Sequence, residues 1–178
     1  DLKKAICSLH FSPVIQSYIT LLDEADIQQI IRLIFPKEHK ESSIVSLCDD
    51  QCASRFLEVL ISTFKNETIY NEFLEQLHKF ITTLALGRNS NFVIQNLISR
   101  APTMVSFEKI INELKGVSAD LLKSKKHGII NRIAQWVFDH EGKGARIAMK
   151  TINTAFGVVE DKNDNIMEDG NVFIAILT

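Results

Sequence analysis

The segment NSNFVIQNLI (residues 89–98) has the aliphatic spacing of a buried helical face, together with polar residues that such packing does not require. Asn91 and Gln95 lie one helical turn apart on another face, and the aromatic Phe92 lies beside them. Side chains at positions i and i+4 of a helix are about 5–6 Å apart. The two amides can therefore contact one ligand together.

The same template occurs at three other places in the chain. NFVIQNLI (91–98) aligns with SRFLEVLI (54–61), which lies 37 residues upstream, and with HGIINRIA (127–134), which lies 36 residues downstream. SPVIQSYI (12–19) lies a further 42 residues upstream of the second copy, and the aliphatic positions coincide throughout. Self-similarity at this period predicts a helical solenoid in which each unit stacks on its neighbours.

Helical periodicity dominates the rest of the chain. The predicted helices span residues 12–22, 26–35, 53–64, 68–86, 91–99, 104–114, 128–138 and 145–156. The predicted linkers are 36–43, 87–90, 116–118 and 158–171. We assign residues 1–157 to about four helical units and residues 158–178 to an acidic linker with a partial or capping element. The abrupt beginning and end of the sequence predict a section of a longer protein.

Composition restricts the classes of function. The 178 residues are 46% apolar and 24% charged, with few Gly and Pro, which is typical of a folded, helix-rich protein. The formal net charge of −2 gives no overall positive field, so a binding site for a polyanion has to be a local surface. The cysteines form no CxxC pair, the histidines lack partners at ligand spacing, and no apolar run could span a bilayer. We therefore expect no metal, no cofactor, no catalytic centre and no membrane segment.

Each unit carries a triplet of residues that suits recognition of a nucleobase. Positions i and i+4 can reach one base edge, and the residue at i+1 points sideways, where an arginine plane or an aromatic ring can stack on a base. The four triplets are Ser12, Pro13 and Gln16; Ser54, Arg55 and Glu58; Asn91, Phe92 and Gln95; and His127, Gly128 and Asn131. A carboxylate such as that of Glu58 can accept hydrogen bonds from both the ring N–H and the amine of guanine.

The motifs SPVIQ, SRFLE and NFVIQ resemble the base-recognition segments of the PUF (pumilio-type) repeat family. Their order and spacing over roughly residues 1–157 are similar to those of pumilio-like factors of small-subunit ribosome biogenesis. The resemblance implies an all-α, right-handed superhelical solenoid of three-helix repeats, in which the second helices line a concave RNA-binding face. It also implies a non-catalytic, monomeric module of the nucleolus or nucleus that binds single-stranded precursor ribosomal RNA during maturation of the small-subunit (18S) rRNA. Ribosome-assembly proteins are further candidate partners.

The same resemblance assigns bases to three of the triplets. It implies uracil for Asn91 and Gln95 with Phe92 stacking, guanine for Ser54 and Glu58 with Arg55 stacking, and an adenine-type pair for Ser12 and Gln16. Because PUF repeats run antiparallel to their RNA, the implied core sequence is 5′-U-G-A-3′.

Both ends of the array depart from the family pattern. Pro13 is a weak stacking platform, Gly128 cannot stack, and the insertion at 36–43 alters the spacing of the first two units. His127 and Asn131 remain candidates for base edges, although they match no familiar base pair. Here the RNA can instead be held through its phosphates or its folded shape, and the candidate phosphate contacts are Lys125, Lys126 and Arg132.

A helical-repeat scaffold for other proteins is the alternative interpretation. The polar triplet residues would then be ordinary surface residues, Phe92 a packing residue, and Arg55 a cation whose stem covers apolar surface. Two complete triplets at matched register, with a third that lacks only its stacking residue, favour RNA. The near-neutral net charge favours the scaffold.

Overall fold

All regular structure in the described residues is helical, which confirms the all-α prediction. This computed structural model describes residues 1–36 and 41–157, so the predicted linker and capping element at 158–178 lie outside the described residues. The α-helices are α1 (Leu2–Ile6), α2 (Ser12–Ile19), α3 (Glu24–Ile34), α4 (Glu41–Asp49), α5 (Gln51–Ser62), α6 (Glu67–Leu77), α7 (Ile81–Leu86), α8 (Ser90–Ser99), α9 (Met104–Leu114), α10 (Ser118–Lys123), α11 (His127–Asp139) and α12 (Ala145–Ala155). None of these helices is long and apolar enough to cross a membrane.

In chain order the helices form sets of three, and the second helix of each set carries the repeated template. These second helices are α2, α5, α8 and α11, and they lie side by side. The helix α5 packs against α2 on one side and α8 on the other, and α8 packs in turn against α11. The right-handed superhelical course of the predicted solenoid stays a prediction.

The aliphatic positions of the template form the core between these helices. Phe56, Val93 and Ile129 occupy equivalent positions in three units, and each is completely buried. The equivalent residue of α2 is Val14. This side chain is 66% exposed because α2 lies at the end of the row of second helices that the structure describes. Burial of such a side chain stabilises the fold by roughly 1.5–3 kcal/mol. The same positions that define the repeat therefore supply its packing energy.

Buried aromatic side chains connect consecutive units through hydrogen bonds. The Tyr70 hydroxyl on α6 donates to the backbone carbonyl of Leu97, near the end of α8, at 2.7 Å. The Trp136 Nε1–H on α11 donates to the carbonyl of Ala101, just after α8, at 2.9 Å. The last four carbonyls of a helix lack intrahelical partners, so Tyr70 satisfies an acceptor that would otherwise be buried without one.

The predicted helix over 68–86 is wrong, because the structure divides it. A 3₁₀ turn at His78–Phe80 separates α6, the third helix of one set, from α7, the first helix of the next. The aliphatic period continues through this turn, so periodicity alone predicts one helix where the chain changes direction. The predicted linkers at 36–43 and 116–118 were likewise too long, since α4 begins at Glu41 and α10 begins at Ser118.

Three first helices were absent from the sequence prediction. They are α1, α4 and α10, with five, nine and six residues. Helices shorter than about 12 residues are marginal in water by themselves. The first helices therefore depend on packing against the rest of the repeat, which local sequence does not reveal.

We expect Tyr70→Phe to lower the free energy of unfolding by about 1–3 kcal/mol, because the buried Leu97 carbonyl loses the hydrogen bond from the Tyr70 hydroxyl. Urea denaturation would measure the change. The matched control is Tyr18→Phe, which alters a hydroxyl on a 61% exposed side chain and should change stability by less than about 0.5 kcal/mol. Equal effects of the two substitutions would contradict the role of Tyr70 between repeats.

Candidate nucleic-acid interface

A cleft of about 440 Å³ lies where α2, α5 and the start of α8 meet. Its lining residues are Gln16, Gln51, Ser54, Arg55, Glu58, Val59, Asn89 and Phe92. Five of these belong to the predicted triplets, and they come from three different units. The structure thus brings together residues that are up to 76 positions apart in the sequence. Side-by-side packing of the second helices is what places them around one cleft.

The first residue of each of these three triplets is buried. Ser12, Ser54 and Asn91 are at most 3% exposed. Both amide hydrogens of Asn91 are used internally, since its Nδ2 donates to the carbonyls of Gly87 (3.1 Å) and Arg88 (2.8 Å). These side chains therefore lie behind the surface of the candidate interface and contribute to the packing of its helices.

The i+4 residue of two triplets is tied to the buried residue behind it. The Gln95 Nε2 donates to Asn91 Oδ1 at 3.0 Å, and the Gln16 Nε2 donates to Ser12 Oγ at the same distance. The glutamine amides are only partly buried, so they form the outer part of each pair. The amide of each glutamine is thereby oriented before any ligand arrives.

The predicted stacking residues are exposed at the cleft. Phe92 is 49% exposed and lines the cleft from α8, and Arg55 lines it from α5. Both carry planar groups on which a base can stack. Pro13 is exposed as well, but it does not line the cleft.

Glu58 is a partly buried carboxylate in the same cleft. Burial raises the pKa of Glu58 above its usual value, and the charge of Arg55 and a hydrogen bond from Asn96 offset this only in part. The Asn96 Nδ2 on α8 donates to Glu58 Oε2 at 3.2 Å. A partly buried carboxylate in a cleft, with its charged form disfavoured by burial, is a candidate functional residue.

The fourth unit meets the third at Gly128. A Cβ atom at this position would lie 2.6 Å from Gln95 Oε1, so a larger residue would require the Gln95 amide to move from its position. His127 and Asn131 are both exposed on α11. Sequence reasoning identified Gly128 only as a missing stacking residue, whereas the structure gives it a packing role.

Asp49, at the end of α4, fixes the start of α8. Its Oδ1 accepts hydrogen bonds from the backbone N–H groups of Asn89 (2.7 Å) and Ser90 (2.8 Å) and from the Ser90 hydroxyl (2.9 Å). Burial acts to raise the pKa of Asp49, but the hydrogen bonds from Ser90 and Asn89 and the nearby charge of Lys126 outweigh it and hold the pKa below its usual value. Sequence reasoning missed Asp49, because its partners lie 40 residues away and no local motif marks it.

Positive charge is concentrated in the second half of the chain. Residues 88–157 contain eleven Lys and Arg against five Asp and Glu, whereas residues 1–87 contain eight against twelve. Of the predicted phosphate contacts, Lys125 and Arg132 are exposed in this positive half, and Lys126 is partly buried near Asp49. The net charge of −2 therefore masks an excess of positive charge in residues 88–157, which favours a polyanion as partner.

Metal and thiol chemistry have no support in the described part of the chain. No group of three His, Cys, Asp or Glu side chains there could hold a metal ion. The cysteines are free thiols, and burial raises the pKa of Cys48 to about 12, so this thiol is not a nucleophile at neutral pH.

Comparison with known proteins identifies the domain type. A family model described as NOP9-like PUF repeat domain matches residues 1–173. No curated protein and no solved structure matches the chain. The match confirms the resemblance to PUF repeats and to the pumilio-like ribosome-biogenesis factors of the nucleolar-protein-nine type. PUF repeat domains are non-catalytic RNA-binding modules.

The lowered pKa of Asp49 predicts how stability depends on pH. A carboxylate with a lower pKa in the folded chain stabilises the fold above its unfolded pKa of about 3.9, and this contribution is lost as the pH falls through the folded value. Asp49→Asn should therefore lower the free energy of unfolding at pH 7, and its difference from the wild type should shrink below about pH 4. Urea denaturation at several pH values would measure this.

The control is Asp139→Asn, which neutralises an exposed carboxylate at the end of α11. This substitution should change stability at pH 7 by less than about 0.5 kcal/mol. If Asp49→Asn lowers the free energy of unfolding by the same amount at every pH, the charge of Asp49 does not stabilise the start of α8.

Proposed function

Because this chain belongs to the NOP9-like PUF repeat family, we propose that it binds single-stranded precursor ribosomal RNA during maturation of the small-subunit (18S) rRNA, in the nucleolus. The observation that carries the proposal is the cleft in which Arg55, Glu58 and Phe92 meet. It offers two planar groups and one hydrogen-bonding carboxylate, which are the elements that recognition of an unpaired base requires. The module binds and shields RNA and performs no chemistry on it.

The cleft suits guanine better than the other bases. Glu58 as a carboxylate only accepts hydrogen bonds, and guanine presents two adjacent donors, the ring N1–H and the exocyclic amine. Adenine, cytosine and uracil each place an acceptor beside their donor on the same edge. Arg55 and Phe92 come from adjacent helices and can stack on the base, while Ser54 lies behind the base edge.

The third unit would bind the preceding base through Gln95 and Asn91, with Phe92 stacking. In the free protein the Gln95 amide is bonded to Asn91 Oδ1, so binding exchanges this internal hydrogen bond for bonds to uracil. Gln16 and Ser12 would act in the same way on an adenine-type base. These assignments give the core sequence 5′-U-G-A-3′ in the antiparallel direction.

The fourth unit would contact the RNA backbone rather than a stacked base. Gly128 offers no stacking surface, and Gln95 occupies the space above it. Lys125 and Arg132 are exposed beside this position and would contact phosphates, with a weaker contribution from Lys126 because Asp49 lies near it. His127 and Asn131 are exposed at the same end and would contact the base that precedes the uracil on its 5′ side.

A scaffold for ribosome-assembly proteins is the second candidate function. The observation that favours it is the apolar face of α2, where Val14 and Tyr18 are exposed one turn apart. A helical partner could pack on this face. Under this alternative, RNA affinity would be negligible and substitutions in the cleft would have no effect on binding.

We expect Phe92→Ala to weaken binding of a short single-stranded RNA that contains U-G-A by about one to two orders of magnitude, because base stacking on a side chain contributes roughly 1–3 kcal/mol. Fluorescence anisotropy would measure the Kd. The matched control is Phe138→Ala, which removes a 53% exposed phenylalanine from the other end of α11 and should leave the Kd unchanged. If the two variants bind RNA equally well, Phe92 does not stack on a base.

We also expect the double substitution Ser54→Asn and Glu58→Gln to switch the preference of the second unit from G to U, because it copies the third unit's amide pair. Binding to U-G-A and U-U-A RNAs would be compared for the wild type and this variant. Equal binding of both RNAs by both proteins would show that backbone or shape, not sequence, is recognised. Binding of neither RNA by the wild type would favour the scaffold function.

A further inference from the structure

We propose that Asn96, a residue of the third unit, is a positioning residue that sets the guanine preference of the second unit. The inference rests on the proposed function, because it assumes that Glu58 binds the base edge. Asn96 does not line the cleft and belongs to none of the triplets. Its effect on the RNA would be transmitted entirely through the Glu58 carboxylate.

The geometry that supports this role is a bridge between two helices. Asn96 Nδ2 donates to Glu58 Oε2 on α5 at 3.2 Å, and it also donates to the backbone carbonyl of Phe92, one turn earlier on α8, at 3.0 Å. The second bond fixes the asparagine amide relative to the stacking residue. The first bond then fixes the carboxylate relative to the same residue.

A carboxylate needs such an orienting contact to distinguish guanine from other bases. Glu58 has three rotatable side-chain bonds, and accepting two donors from one base edge requires its two oxygens to lie in the plane of that base. Each carboxylate oxygen has two lone pairs, so Oε2 can accept from Asn96 and from the base together. Ordering the side chain before the RNA arrives reduces the entropy lost on binding.

Arg55 cannot serve this purpose while it stacks on a base. It lies on the same helix as Glu58, and no ion pair between the two is present in the described residues, although the positive charge is near enough to lower the carboxyl pKa in part. A neutral amide on the next helix orients the carboxylate without competing for the guanidinium. The remaining residues that line the cleft carry no charge; they are Gln16, Gln51, Ser54, Val59, Asn89 and Phe92.

The repeat register shows that this contact is specific to one unit. The position of Asn96 in its template corresponds to Val59 in the second unit and to Arg132 in the fourth. Val59 can donate no side-chain hydrogen bond to Gln16 of the first unit. Among the described units, an amide donor therefore follows the one unit whose i+4 residue is a carboxylate.

The test compares affinities for RNAs that differ at the second-unit base, with guanine or inosine at that position. Inosine lacks the exocyclic amine, so the ratio of the two affinities measures whether Glu58 engages both donors. Asn96→Ala should weaken guanine binding by about 3- to 10-fold and remove most of the preference over inosine. The preference for uracil over cytosine at the third unit should remain, because Gln95 and Asn91 are unchanged.

Two further variants separate positioning from packing. Asn96→Asp keeps the size of the side chain but replaces the donor with a second carboxylate, so it should lose more guanine affinity than Asn96→Ala at pH 7. Asn112→Ala removes an exposed asparagine from α9, outside the cleft, and should keep the preference for guanine over inosine. Thermal unfolding of each variant would confirm that the fold is retained.

The pH dependence of binding gives an independent measurement. Guanine binding requires the charged form of Glu58, so affinity should fall as the pH drops through the pKa of this carboxyl. The Asn96 hydrogen bond helps to lower that pKa, so Asn96→Ala should move the loss of affinity to higher pH, whereas Asn112→Ala should not.

The outcomes distinguish this inference from the proposed function. A wild type that binds guanine and inosine RNAs equally would overturn guanine recognition and, with it, the role of Asn96. A wild-type preference that survives in Asn96→Ala and Asn96→Asp, with an unchanged pH profile, would overturn the inference alone. A uniform loss of affinity for all RNAs in both variants would also overturn it, because that result indicates a structural role.

Discussion

The side-by-side packing of the second helices is the constraint on which the interface depends. Phe56, Val93 and Ile129 are completely buried at one position of the repeat, and this burial fixes both the spacing and the rotation of α5, α8 and α11. A helix rotated by one residue would turn its triplet away from the neighbouring triplet. The cleft between α2, α5 and α8 is therefore a consequence of core packing, and its formation does not depend on the polar residues that line it.

The polar residues of the interface instead carry features that do not favour stability. Glu58 is a half-buried carboxylate that forms no ion pair with any residue the structure describes, and Phe92 leaves half of its surface in water. Both features are unfavourable by themselves, and the proposed base would offset both by supplying hydrogen-bond donors to Glu58 and a stacking partner to Phe92. Residues whose environment lowers the stability of the fold are expected at a functional site. This conflict supports RNA binding more strongly than the net charge opposes it.

The template and the family resemblance predicted the helical class, the second helices and five of the eight residues that line the cleft. They did so because burial and base recognition both depend on spacings within one helix, which the sequence displays directly. The first helices α1, α4 and α10 and the break at His78–Phe80 were not predictable in this way, because packing between elements decides them. Asp49 and Asn96 escaped detection for a related reason. Their partners lie about 40 residues away, and only the stacking of units brings them together.

Contacts between units also change how the recognition of each base should be understood. Glu58 accepts a hydrogen bond from Asn96 of the following unit, and Gln95 lies against Gly128 of the following unit. Ser12 likewise donates to the backbone carbonyl of Cys52, in the first turn of α5 of the following unit. In all three cases the neighbour on the C-terminal side contacts the residue that would meet the base. A triplet is therefore an incomplete description of base preference, since its geometry depends on the next helix in the array. Transfer of a triplet to another position would carry its chemistry but not the contacts that orient it.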